Sequence, residues 1–205
     1  MSVRRVLLAT RSAGKLRELR PLFAARAIDV IDLSHAGVME TAEEDALEVF
    51  DTFEENALAK ARFFNKKTGM PTVADDSGIG AVALGGRPGV HSKRWSGRTD
   101  LSGQALDDEN NRLLQEALRE AADRRAYYVC AAAYVDGVRE LVERGEVYGC
   151  IVAEARGSEG FGYDPYFFAD ELGRTFGEAT REAKARVSHR ARAFGALLDR
   201  LPSEG

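Results

Sequence analysis

The sequence predicts the α/β class with a mixed β-sheet, and two patterns carry that prediction. In the first part of the chain, strand-length apolar runs alternate with helical patterns, which is typical of parallel β–α–β connections. Later, two strand-like runs flank Asp136-Gly137, a pair typical of a type I′ hairpin, which adds antiparallel strands. At 205 residues and 44% hydrophobic content, the chain can bury a full core.

The N-terminal elements follow from apolar spacing. A strand is predicted over Val3–Ala9, and a helix over Lys15–Phe23, where leucines recur at helical spacing. A second strand is predicted over Ala27–Leu33. The clearest helix is Thr52–Lys67, which opens with a Thr52–Glu55 capping box.

The segment Val73–Gly97 holds the residues around which the site is expected. An apolar run delivers Asp75 and Asp76 to a predicted turn at Ser77-Gly78, and a second apolar run follows at Ile79–Leu84. Successive strand residues face opposite sides, so only one of the two aspartates can face a given cleft. Such a carboxylate suits a hard cation or a general base, although a polar hairpin with capping aspartates fits these residues alone equally well.

The C-terminal part is predicted to hold further strands and helices. Leucines spaced between Leu106 and Leu118 mark one helix, and Thr180–Leu201 divides into two helical pieces with Ser188 capping the second. Three apolar runs predict strands, at Tyr127–Val135, Val138–Val142 and Val147–Ala153.

Several loops carry candidate binding residues. The loop Thr10–Lys15 lies between a strand and a helix start, where backbone N–H groups can bind an anion, although plain helix capping is the simpler interpretation. In Gly160–Pro165, glycines alternate with aromatic residues that can stack on a base or fill the core. Asn56 and Lys60 share one helix face, and His189 with Arg190 begin the last helix.

Charge and cysteine usage narrow the class of protein. The net charge of −4 disfavours nucleic-acid binding, and clusters of cations in loops favour a small anionic ligand instead. No apolar run approaches the roughly 20 residues of a membrane helix, and the N-terminal run is too short for a signal peptide. Cys130 and Cys150 fit no metal spacing and are expected to be buried thiols. These features predict a cytoplasmic protein without a membrane partner.

Six segments together resemble the Ham1/RdgB-like inosine triphosphate pyrophosphatase family, also called non-canonical purine NTP pyrophosphatases. They occur in the family's order and span almost the whole chain, so residues 1–205 are expected to form a single domain of this type. The segments are Thr10–Lys15, Thr52–Ala57 with Lys60, Ala74–Gly78, Leu84–Val90, Phe161–Pro165 and Ser188–Arg190.

The resemblance implies two lobes around a long central mixed sheet, with an active-site cleft between them. It also implies a homodimer, a requirement for Mg²⁺, and hydrolysis of ITP, dITP or XTP to the monophosphate and pyrophosphate. Such a reaction removes deaminated purines from the nucleotide pool and prevents their incorporation into DNA or RNA.

Residue roles carry over by matching positions. Asp76 corresponds to the family's proton acceptor and to one of its metal ligands, and Glu43 corresponds to the other metal ligand. Asn56 and Lys60 are weaker site candidates. The remaining matches are substrate contacts: Thr10, Arg11, Ser12, Ala13, Gly14, Lys15, Ser77, Phe161, Gly162, Tyr163, Asp164, Lys184, His189 and Arg190.

Two departures from the family pattern bear on these roles. Ser12 stands where the family usually has Asn, and its hydroxyl has a shorter reach. The chain is also a few residues longer between Glu43 and Phe53, which leaves Glu40 or Glu44 as alternative metal ligands.

Other functions stay open on sequence alone. One is a Maf-like nucleotide pyrophosphatase or a general phosphatase with other substrates. Another is a nucleotide-binding regulator without turnover.

Overall fold

The computed structural model describes residues 5–201, so Val3 and Arg4 of the predicted first strand lie outside the described residues. Its helices are α1 (Ala13–Ala24), α2 (Phe53–Thr68), α3 (Gly103–Ala117), α4 (Arg181–Val187) and α5 (His189–Arg200). Its strands are β1 (Arg5–Leu8), β2 (Asp29–Asp32), β3 (Thr72–Ala81), β4 (Arg125–Val135), β5 (Glu140–Ile151), β6 (Phe167–Ala169) and β7 (Arg174–Thr175). Among these residues no helix is both long and apolar enough to cross a membrane.

The strands form one mixed sheet in the order β2-β1-β3-β4-β5-β6-β7. β1 pairs in parallel with β2 and β3, whereas β6 pairs antiparallel with β5 and β7. The predicted α/β class and mixed sheet are therefore confirmed.

The chain divides into two compact units, each with its own core. Unit 1 comprises the chain up to Asp76, Cys130–Gly145 and the chain from Arg190 onward. Its core contains Phe23 of α1 and Phe194 of α5, whose rings meet edge to face at 5.8 Å between centroids. Apolar residues of β1 and β3 complete this core, as the helical and strand periodicity predicts.

Unit 2 comprises Ser77–Val129 and Glu146–His189. Its core combines Leu114 of α3 with the aromatic residues Tyr128, Phe167 and Phe176. The Tyr128 ring lies edge-on to Phe167, with 4.8 Å between centroids. Two candidate site residues contact this core, since His189 stacks on Tyr128 and the Lys184 ammonium lies over the Phe176 ring.

The predicted turn at Ser77-Gly78 is wrong, because β3 continues through it to Ala81. Strands usually avoid paired carboxylates, but here Asp75 and Asp76 are both buried and both have polar partners. These long-range contacts, which local sequence does not reveal, keep the polar segment extended.

The predicted hairpin forms, but its connecting loop is longer than predicted. β4 and β5 are neighbours in the sheet, and the connection Asp136–Arg139 replaces the expected two-residue turn. The Asp136 side chain accepts hydrogen bonds from the backbone N–H groups of Val138 (2.9 Å) and Arg139 (2.7 Å), which stabilises this wider loop.

The two strands expected at Val138–Val142 and Val147–Ala153 are one strand, β5. The polar residues between them do not interrupt it, because Arg144 donates to Glu54 of α2 (2.7 Å) and Arg200 of α5 donates to Glu143. Of the two cysteines, Cys130 is buried as predicted, whereas Cys150 is partly exposed.

Candidate functional site

The loop Thr10–Lys15 joins β1 to α1, as predicted. The Ser12 hydroxyl caps α1 by accepting from the Lys15 N–H (3.4 Å), and the Thr10 hydroxyl accepts from the Ser12 N–H (3.2 Å). The Arg11 guanidinium forms two 2.7 Å hydrogen bonds to Glu44 and lowers the pKa of that carboxyl. Lys15 is therefore the cation of this loop that reaches the carboxylates of β3.

Asp75 is fully buried in unit 1 and is surrounded by cations. Its Oδ2 lies 3.0 Å from Lys15 Nζ and 3.3 Å from Arg190 Nε. Burial alone would favour the neutral acid, but the charges of Lys15 and Arg190 outweigh it and hold the pKa of Asp75 below its usual range. Glu18 of α1 also pairs with Arg190, so the cluster alternates anions and cations.

Asp76 has a different environment, provided by α2. Its Oδ2 accepts a hydrogen bond from Asn56 Nδ2 (3.0 Å), and its Oδ1 lies 3.7 Å from Lys60 Nζ. Lys60 Nζ also lies 2.6 Å from Glu48 Oε1. Burial raises the pKa of Asp76, and Glu48 adds to that effect. Asn56 and Lys60 share one helix face, as predicted, and both contact the proposed proton acceptor.

The glutamate beside Asp76 is Glu48, which the sequence did not single out from the surrounding acidic segment. Glu43 is exposed in a 3₁₀ helix, Ala42–Ala46, and Glu44 is paired with Arg11. Within residues 5–201, no group of three or more His, Cys, Asp or Glu side chains is placed to hold a metal. Asp76 and Glu48 both lie against the Lys60 ammonium, at 3.7 Å and 2.6 Å respectively.

Unit 2 contains a second group of predicted residues. Lys184 Nζ, which is buried, lies 2.5 Å from Asp164 Oδ2. The same ammonium lies 5.3 Å from the centroid of the Phe161 ring and 5.0 Å from that of Phe176, which are cation–π distances. Phe161 itself is half-buried.

The remaining aromatic candidates differ in exposure and partners. His189 is buried and stacks on Tyr128, with 4.5 Å between ring centroids and 5° between planes. Tyr163 lies in the core of unit 2, and its hydroxyl donates to the Ser92 carbonyl (2.7 Å). The core interpretation therefore holds for Tyr163, while Phe161 stays accessible.

His189 and Arg190 are adjacent in the chain, but the structure assigns them to different units. His189 packs on Tyr128 in unit 2, whereas the Arg190 guanidinium is buried against Asp75 and Glu18 in unit 1. Ser77, the predicted substrate contact after Asp76, is half-buried in β3. Tyr128 and Glu18 were missed because nothing in their local spacing distinguishes them from ordinary strand and helix residues.

Comparisons with known proteins point to one family. A family model described as "Ham1 family" matches residues 6–200. The dITP/XTP pyrophosphatase of Bordetella parapertussis is 46% identical over 207 residues, covering 100% of this chain and 94% of the relative. That of Burkholderia pseudomallei is 47% identical over 200 residues, covering 96% and 93% respectively.

Solved structures give the same result. The structure of a HAM1 protein from Coxiella burnetii matches with a TM-score of 0.81 at 34% identity, covering 96% of this chain and 97% of the other. A nucleoside-triphosphatase / dITP/XTP pyrophosphatase from Mycobacterium abscessus matches with a TM-score of 0.70 at 40% identity, covering 95% and 98%.

Proposed function

Because this chain belongs to the Ham1 family, we propose that it hydrolyses the non-canonical purine nucleotides ITP, dITP and XTP to the monophosphate and pyrophosphate. The observation that carries the proposal is the environment of Asp76, a buried strand carboxylate bonded to Asn56 and facing Lys60. The relatives named above are dITP/XTP pyrophosphatases, and they do not favour a Maf-like enzyme or a non-catalytic regulator.

We assign the triphosphate end of the substrate to residues of unit 1. Lys15 and Lys60 supply positive charge next to the two aspartates, and the start of α1 supplies backbone N–H groups. In the reaction, a bond forms between a water oxygen and the α-phosphorus, and the bond from that phosphorus to the bridging oxygen breaks. Asp76 accepts the proton of the water, while the lysines offset charge on the leaving pyrophosphate.

Mg²⁺ is part of the proposal, and the residues present fit it. Mg²⁺ takes hard oxygen ligands and needs only one or two carboxylates besides substrate phosphates. In the structure the Lys60 ammonium lies against both Glu48 and Asp76, so this pair of carboxylates already accommodates a cation. We propose that Asp76 and Glu48, in place of Glu43, hold the ion. When bound, it would neutralise phosphate charge and acidify water.

We assign the purine base to residues of unit 2. Phe161 offers a half-buried ring for stacking, and His189 offers a ring nitrogen as a donor to the 6-keto oxygen of hypoxanthine or xanthine. Adenine carries an amino group at that position and would leave a buried donor unpaired, which lowers kcat/KM strongly. Arg190 stays a predicted base contact, but its guanidinium bonds to Asp75 and Glu18 in the structure.

A panel of nucleoside triphosphates, assayed with Mg²⁺ for both products, tests the proposed function. We expect equal amounts of pyrophosphate and monophosphate from ITP, dITP and XTP, at a kcat/KM at least about 100-fold above that for ATP. Chelation of the metal should abolish turnover, and added Mg²⁺ should restore it. Release of orthophosphate, or a preference for UTP or dTTP, would contradict the proposal.

Two further properties are proposed: a homodimer, which the family resemblance implies, and a cytoplasmic location, which the apolar runs and cysteine usage predict. Analytical ultracentrifugation of the purified protein tests the first. A sedimentation coefficient that corresponds to one chain at micromolar concentration would contradict it.

A further inference from the structure

Helix α3 of unit 2 holds one peptide of the loop that contains Phe161. Asp107 Oδ2 accepts a hydrogen bond from the Gly162 N–H, and Asn111 Nδ2 donates one to the Gly162 carbonyl, each at 2.9 Å. Asp107 and Asn111 are four residues apart, so they lie on the same face of the helix. Both polar groups of Gly162 are therefore bonded by side chains of a single helical turn.

The loop is closed from its other side by Asp164. Asp164 Oδ2 accepts from the Phe161 N–H (2.9 Å) and from Lys184 Nζ (2.5 Å). A Cβ at Gly160 would lie 2.0 Å from that same oxygen, so the carboxylate is folded tightly against the backbone. Hydrogen bonds therefore hold the backbone on both sides of the Phe161 ring: Asp164 binds the Phe161 N–H, and Asp107 and Asn111 bind the peptide groups of Gly162.

Two features of this arrangement cost stability. Asn111 is 5% exposed, and its Oδ1 is buried without a hydrogen-bond partner among the described residues. Asp107 lies close enough to Asp164 for their negative charges to repel. An apolar side chain would remove one of these costs, but it would also leave the N–H or the carbonyl of Gly162 without its side-chain partner. What Asp107 and Asn111 provide at this cost is a fixed position for the Gly162 peptide.

We propose that Asp107 and Asn111 are positioning residues for nucleobase recognition, which act by fixing Gly162 and thereby the orientation of the Phe161 ring. This inference rests on the proposed function of Phe161 in stacking on the purine. It assigns to α3 a part in substrate recognition that acts through Gly162.

The test compares Asp107→Ala and Asn111→Leu with the wild-type enzyme. In hydrogen–deuterium exchange, the peptide that covers Phe161–Tyr163 should exchange about tenfold faster or more in both variants. The KM for ITP should rise roughly five- to tenfold, while kcat changes less than about threefold. The inhibition constant of inorganic tripolyphosphate, which lacks a base, should stay unchanged, whereas general loss of structure would move both constants.

Matched variants define the specificity of the effect. Asp107→Asn keeps an oxygen that can accept from the Gly162 N–H, and it should restore most of the wild-type KM. Asp108→Ala changes the neighbouring exposed aspartate, which accepts a hydrogen bond from Gln104 (2.8 Å), and it should leave KM unchanged. Asn110→Leu removes a similarly buried amide that bonds to Lys93 and Ser96. It should therefore speed hydrogen exchange around Lys93 and Ser96 and leave exchange at Phe161–Tyr163 unchanged.

The outcomes separate the two proposals. If the wild-type enzyme releases no pyrophosphate from ITP, the proposed function fails. If it does, and both loss variants keep wild-type KM and exchange, the positioning inference is overturned while the function stands. If Asp107→Ala does not fold, the near-isosteric Asn111→Leu decides by the same measurements.

Discussion

Asp75 and Asp76 are neighbours in β3, yet their carboxylates differ in charge environment. Lys15 and Arg190 keep Asp75 ionised, so it cannot readily take up a proton and instead holds these two cations in place. Burial raises the pKa of Asp76, and its cation partner Lys60 is shared with Glu48. A higher proton affinity is what a general base requires, so the second aspartate is the better candidate.

The first prediction concerns the substitution Asp76→Asn. It should lower kcat for pyrophosphate release from ITP by about 10³-fold, because the amide cannot accept the proton of the attacking water. The fold should persist, since the amide still offers an oxygen to Asn56. Pyrophosphate assays and thermal unfolding check the two parts. Turnover near the wild-type rate would remove Asp76 from the mechanism.

The second prediction concerns pH. Hydrogen bonds from Arg125 lower the pKa of the exposed Asp123 carboxyl to about 2. Because this pKa is lower in the folded state, the ionised carboxyl stabilises the fold at pH values above about 3.9, its pKa in the unfolded chain. That contribution is lost as the pH falls towards 2. Titration of the carboxyl by NMR checks the value, and Arg125→Gln should return it towards 3.9. A wild-type value already near 3.9 would contradict the assignment.

At the scale of the element, the N-terminal cap of α2 determines which residues of the helix face Asp76. Thr52 caps the helix by accepting from the Glu55 N–H (3.2 Å), which sets where the helix begins. One and two turns further on, Asn56 and Lys60 then reach Asp76. The capping residue Thr52 was recognisable from sequence, whereas the Glu55 carboxylate accepts from the Thr52 hydroxyl (2.7 Å); the helix face follows from the helix start.

The third prediction contrasts two glycines in regular structure. A Cβ at Gly149 of β5 would lie 1.9 Å from the Phe168 carbonyl oxygen, so Gly149→Ala should destabilise the fold by about 1–3 kcal/mol or more. Gly195 of α5 has no such neighbour within 4 Å, so Gly195→Ala should stabilise the fold by about 0.5–1 kcal/mol. Urea denaturation measures both, and shifts of the same sign would contradict the prediction.

At the scale of the whole molecule, the cations are concentrated while the net charge stays negative. In unit 1, Lys15 and Arg190 both pair with Asp75, and Lys60 lies beside Asp76, whereas the whole chain carries a net charge of −4. A small polyanion can exploit such a local cluster, but a nucleic-acid backbone needs an extended basic surface.

The fourth prediction follows from that balance of charge. The protein should not retard duplex DNA or RNA in gel-shift assays at roughly 50 mM salt, because few phosphate contacts would release counterions. The proposed substrates ITP and XTP should bind under the same conditions. Binding of DNA that weakens steeply with salt would revive a nucleic-acid function.

Residue type and spacing by themselves determined the fold class, the mixed sheet, the capped helix α2 and the family resemblance. They also predicted that Asn56 and Lys60 share one helix face and that Cys130 is buried. These properties depend on local periodicity and on motifs whose residues are close in the chain, so they can be recognised without knowing any long-range contact.

Only the tertiary structure decided which charged groups meet. It extended β3 through Ser77-Gly78, placed Glu48 beside Lys60, and paired Arg190 with Asp75 across 115 positions of sequence. It also placed Asn111 against Gly162. Such pairs form because folding brings segments together and burial strengthens their interaction, and neither effect leaves a mark on local spacing.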